Sequence, residues 1–82
     1  MARYFLHLRD GADDVLDEEG IEYSTYELMR IGVMACARDV LSSDIKQGLI
    51  DLRLRIDAEN EGGEVVYSLP FGNAFSIIPN EP

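Results

Sequence analysis

One cysteine stands in the whole sequence, Cys36. It excludes an intramolecular disulfide, so packing alone must hold the fold, and nothing points to an oxidising compartment. The expected location is the cytoplasm. Basic residues are scarce, 7 Lys and Arg against 16 Asp and Glu, for a formal net charge of −9. A field of that sign repels phosphate, which disfavours a general grip on nucleic acid or on an anionic membrane. Long apolar runs are missing: none approaches the roughly 20 residues of a membrane helix. The opening stretch Met1 to Asp10 is broken by charge too early to read as a signal peptide. Neither a membrane nor an export route is therefore expected. Internal repeats and Pro-, Gly- or Ser-rich linkers are also lacking, which leaves one domain over residues 1–82.

The same scarcity limits the chemistry. Structural zinc sites usually need four Cys or His ligands, and His7 and Cys36 are the only residues of those types. As a base, His7 would need a nucleophile and an orienting carboxylate. Ser68 and Asp10 stand in no recognisable nucleophile motif. The acidic stretch from Asp10 to Glu22 invites a calcium reading, but from Asp13 the third position is Val15 and the sixth is Glu18, where an EF-hand needs an oxygen ligand and a glycine. A solvated loop is the simpler account. No catalysis and no cofactor are expected.

What the chain does have is apolar content of 46%, which marks a folding sequence despite the charge. Arg3 to Leu8 alternates as a strand, with Tyr4, Leu6 and Leu8 on one face and Arg3, Phe5 and His7 on the other. Asp10-Gly11 marks a turn, followed by an acidic loop with a short strand at Val15 to Asp17 returning beside the first. Ser24-Thr25-Tyr26-Glu27 fits a capping box that opens a helix. At 3.6 residues per turn, Tyr26, Met29, Val33, Cys36, Ala37 and Val40 form its core stripe. Gly32 beside that stripe would permit close approach of a strand. The helix runs at least to Leu41, with a kink or restart possible at Ser42-Ser43-Asp44 and a stop at Gly48. Leu52 to Ala58 alternates as a strand, Glu59 to Gly63 forms a hairpin loop, and Glu64 to Leu69 returns until Pro70 removes a ladder donor. The expected fold is α+β: a small antiparallel sheet of three to four strands with one long helix packed on one face.

The opening Arg3-Tyr4-Phe5-Leu6-His7-Leu8-Arg9-Asp10-Gly11 is followed in order by an acidic turn closed by Glu19-Gly20 and by the helix segment Ala37-Arg38-Asp39-Val40-Leu41. Gly63-Glu64-Val65 and Leu69-Pro70-Phe71 come next. That succession resembles a family of small bacterial proteins catalogued as a domain of unknown function. The likeness reaches about Phe75 and is most specific in the opening strand. The sequence departs from the family pattern at Ile31, Gly32 and Val33, where the helix is usually richer in alanine and charge. The resemblance implies a bacterial, stand-alone domain and supplies no activity, substrate or site residue.

Two surface patterns remain. If the first strand and Leu52 to Ala58 share a sheet, Arg3, His7, Arg53 and Arg55 gather on its open face, with Arg9 just beyond. They would serve either as a contact for an anion or acidic partner or as cross-strand partners of Asp57 and Glu64, which is the commoner arrangement. The second pattern is Leu28, Ile31 and Ala35, spaced i, i+3, i+7 away from the core stripe. A second apolar stripe calls for a partner or for the chain's own tail, where Phe71, Ala74, Phe75, Ile77 and Ile78 are concentrated. A chain this short buries only about 60–65% of its unfolded surface, so association would add stability. The leading expectation is a small non-catalytic interaction module that self-associates, with a homodimer or another protein as partner. The alternative is a binder of an anionic ligand or nucleic acid through the basic sheet face.

Overall fold

A computed structural model describes residues 1–80 of the protein. Strand β1 (Ala2–Arg9) lies at the centre, where its alternation gives it two useful faces. On one side it pairs antiparallel with β4 (Arg55–Glu59), His7 opposite Asp57 and Leu8 opposite Ile56. Beyond β4 lies β5 (Val65–Pro70), returned by a hairpin. Two short strands pair with other parts of β1: β2 (Asp14–Val15) with Leu8 and Arg9, and β3 (Ile21–Tyr23) with Ala2 to Tyr4. The order is β2-β1-β4-β5 with β3 beside β1, an antiparallel sheet of five strands under one helix. The expected α+β architecture is thus observed with one strand more. The extra strand is β3, whose three residues are too few to show an alternation.

Asp17 occupies the gap between β2 and β3. The amide of Leu6 in β1 donates to its Oδ2 at 3.2 Å, and its Oδ1 accepts from the amides of Glu19 and Gly20. One side chain thereby satisfies a strand amide and a turn. Gly20 closes that turn at φ +77°, where a Cβ would also press on the side chains of Arg3 and Phe5.

The helix α1 (Tyr26–Ile45) begins one residue later than the capping box implies. Thr25 is the N-cap, its hydroxyl accepting from the Leu28 amide, and Glu27 pairs with Arg30 instead of reaching back. The helix runs through Ser42-Ser43-Asp44 without restart, about 30 Å at 1.5 Å per residue. Met29, Val33, Ala37 and Leu41 are its buried residues, while Cys36 and Val40 pack at the margin. Tyr26 is a correction to the expected stripe. It is exposed, and its hydroxyl donates to the Val66 carbonyl, at the irregularity where β5 loses register with β4.

The core is completed by Ile56 and Ala58 of β4, Leu69 of β5, and Phe71 and Ala74 beyond it. Pro70 ends β5, and a single 3-10 turn over Phe71–Asn73 swings the tail under the helix. Its first amide donates to the Leu54 carbonyl at 3.0 Å. The apolar tail therefore docks through Phe71, Ala74 and, in part, Phe75. Ile77 and Ile78 remain 75% and 91% exposed.

Gly32 meets Tyr23 of β3 at the close approach its position predicts: a Cβ there would overlap the phenol ring. Gly32→Ala would raise helix propensity by about 1 kcal/mol, against an overpacking cost of about 1–3 kcal/mol. A net loss is expected, read as a lower melting temperature; a higher one would show that Tyr23 swings away freely.

Candidate functional site

The sheet face away from α1 carries polar side chains because β1 and β4 alternate in register. His7 and Arg9 of β1 lie across from Asp57 and Arg55 of β4, and Glu59 lies opposite Phe5. Asp57 is the hub, only 5% exposed. Its Oδ2 accepts from Arg9 Nε at 2.9 Å, and its Oδ1 accepts from Ser68 Oγ at 2.7 Å and Arg55 Nε at 3.2 Å. Arg9 also reaches Asp14 at 2.7 Å and Glu59 at 3.3 Å. His7, 8% exposed, accepts the Asp17 amide on Nδ1 at 3.1 Å. A backbone N–H can only donate, so the neutral ring carries its proton on Nε2, which lies 3.5 Å from Glu59 Oε2.

This arrangement is a closed ion-pair network. Ser68 donates directly to Asp57, with no histidine between them to act as its base. Burial works against the Asp57 carboxylate, but the Ser68 and Arg55 hydrogen bonds and the Arg55 and Arg9 charges outweigh it, holding the group below the ordinary 3.8. Asp17 is lowered likewise: burial opposes its charge, and the amides of Gly20, Leu6 and Glu19 prevail. A carboxyl depressed in the folded state stabilises above its unfolded value, and that stabilisation is lost as pH falls through the folded one. The melting temperature should therefore drop steeply below about pH 4. Asp57→Asn should be less stable at neutral pH and less sensitive to acid. A variant with the parent's acid limb would remove Asp57 from this account.

The expected basic cluster is dispersed. Arg3 leans to the β3 side, where it donates to the Glu19 carbonyl and pairs with Glu22 at 3.1 Å. Arg53 is not on the sheet face at all, because β4 starts only at Arg55. The Asp51 side chain accepts from the Arg53 amide and from its guanidinium, forming a turn where the alternation reads as strand. Those bonds hold the Asp51 carboxyl down to about 2. Glu64 does not pair with an arginine; it belongs to the hairpin, with Asn60 Nδ2 at 3.4 Å from its carboxylate. Of the four named basic residues only His7 and Arg55 meet the Asp57 and Glu59 carboxylates of β4; Arg3, on the same face of β1, is held at its β3 end.

Network residues the spacing did not single out are Glu59 and Asp17, while Arg9 is expected only just beyond the basic cluster and Ser68 only as a neighbour of His7. Arg9 and Glu59 were readable as same-face continuations of Arg3-Phe5-His7 and Arg55-Asp57. Asp17 was not, because its role depends on a gap between two short strands. In the acidic loop, Asp10 Oδ1 accepts from the amides of Ala12 and Asp13, so the carboxylate caps its own turn. Among the described residues no cluster of three or more His, Cys, Asp or Glu is placed to hold a metal ion. Burial, with Asp39 and Asp17 nearby, pushes the Cys36 thiol up, away from the reactive thiolate.

The second surface is the outward face of α1. Leu28 and Ile31 are 47% and 57% exposed, and Ala35 is exposed beside them. The docked tail does not cover them. It lies along one flank, where Arg38 Nε donates to the Ala74 carbonyl at 2.8 Å. Two open grooves flank Arg38, the first bordered by Glu27 and Arg30 as well as by apolar residues, the second mostly apolar. One of about 310 Å3 runs past Ile31, Met34 and Ala35 to Tyr67; the other, of about 470 Å3, runs past Leu41 and Ile45 to Ile50 and Phe75.

The profile of a family described as "Domain of unknown function (DUF6894)" matches residues 3–72. The chain belongs to that family. The DUF6894 match takes in β1 from Arg3, the other four strands, the whole of α1 and the buried Phe71, so the sheet-face network and the Leu28, Ile31 and Ala35 stripe lie within it. No curated protein and no solved structure matches the chain. Among the described residues no helix is long and apolar enough to cross a membrane.

Proposed function

We propose that this DUF6894 domain is a non-catalytic interaction module that self-associates through the outward face of α1, centred on Leu28, Ile31 and Ala35. The observation that carries this reading is that aliphatic residues on that face stay about half exposed although the chain's own apolar tail docks nearby. An uncovered apolar stripe on a small domain is the usual mark of an interface. The reading is also supported by the state of the sheet face. An anion or nucleic acid at Arg55 and His7 would have to displace Asp57 and Glu59, which already hold them, against a net charge of −9. The module would work in a reducing compartment such as the bacterial cytoplasm, consistent with its single cysteine.

Light scattering after size exclusion tests the proposal. The parent should elute with twice the 9.2 kDa of one chain. Ile31→Asp, which alters an exposed position and should leave the melt cooperative, should give a single-chain mass. A parent that stays at 9.2 kDa at high micromolar concentration contradicts the reading.

A further inference from the structure

The exposed stripe is longer than Leu28, Ile31 and Ala35. Continuing at alternate steps of three and four, the next residues are Arg38, Ser42 and Ile45, all exposed, so the face spans nearly the whole helix at the spacing of a coiled-coil seam. Read in reverse, the six positions complement themselves. Leu28 and Ile45 are large and aliphatic, Ile31 and Ser42 pair large with small, and Ala35 and Arg38 pair small with long. Arg38 is drawn aside by its bond to the Ala74 carbonyl, leaving its aliphatic stem on the seam and the middle of the face low.

Charge agrees with a second copy as the occupant. Glu27, Arg38, Asp39 and Lys46 on or beside the stripe cancel one another, whereas the chain as a whole carries −9. Two copies meeting here bring together faces with no net charge, so their overall acidity does not oppose this contact directly. The flanking grooves at Tyr67 and at Phe75 provide room on either side of Arg38 for side chains of a neighbouring helix.

Resting on the self-association reading, we propose that α1 pairs antiparallel with α1 of a second copy about a two-fold axis between Cys36 and Ala37. Leu28 then lies against Ile45 of the second copy, Ile31 against its Ser42 and Ala35 against its Arg38. The pairing is isologous, so it closes as a dimer and leaves no stripe free for further growth.

Cysteine pairing reads the register directly. In full-length protein with Cys36→Ala, Leu28→Cys and Ile45→Cys are made separately; both sites are exposed, and each variant is first checked for a parent-like melt and mass. On air oxidation, an equimolar mixture should give a covalent dimer on a non-reducing gel, while neither variant alone should cross-link. Cross-linking of Leu28→Cys with itself would mean parallel helices and overturn the proposal. A non-covalent dimer by light scattering with no cross-link in the mixture would overturn this register while sparing self-association. A single-chain mass for the parent would overturn both.

Discussion

Val33→Asp is expected to leave no folded protein. Val33 sits at the middle of the buried helix stripe with no exposed surface, packed with Met29, Ala37 and the β4 residues Ile56 and Ala58. A carboxylate there has no partner. Burying an unpaired charge, or protonating it first and burying an unsatisfied acid, costs several kcal/mol, and small domains hold only about 5–15 kcal/mol in total. Circular dichroism should show lost helix at room temperature and no cooperative transition. A melt within a degree or two of the parent would mean that α1 is rotated away from the sheet.

Phe71→Ala should have the next largest effect. The ring is among the largest fully buried side chains, and it belongs to the segment after β5 that closes the core from below. Truncating a buried phenylalanine costs about 3–5 kcal/mol, because the cavity adds to the lost transfer energy. At roughly 4–8 °C per kcal/mol for a domain of 60–100 residues, the melting temperature should fall by at least about 12 °C. Ile78→Ala provides the contrast, since its side chain is 91% exposed and its loss should leave the melt unchanged. Equal melts for the two variants would mean that the tail is not part of the core.

The strands β1, β4 and β5 and the helix were legible because each is long enough for its period to show. Tyr4-Leu6-Leu8, Ile56-Ala58 and Met29-Val33-Ala37 mark the buried faces through spacing alone. Departures occur where a side chain competes with the backbone. Asp51 turns Leu52 and Arg53 out of the strand that their alternation suggests, and Thr25 takes the cap from Ser24. The candidate surfaces were legible only in part. Arg3, His7, Arg53 and Arg55 look alike in sequence, but pairing depends on where carboxylates fall in space, and register places Asp57 between Arg9 and Arg55. The stripe at Leu28, Ile31 and Ala35 was visible from helical spacing. Its extension through Ser42 and Ile45 was hidden behind serines that argue for a break, and the structure carries the helix through them.

The central claim is that an apolar helix face joins two copies of this chain. Its most direct test is the solution mass by light scattering at low salt and at about 1 M salt, where the screening length falls to about 3 Å. Apolar association survives screening, so a dimer mass at both salt concentrations is the predicted result. A mass of 9.2 kDa at high salt would contradict the claim, because it would show that any association at low salt is held by charge.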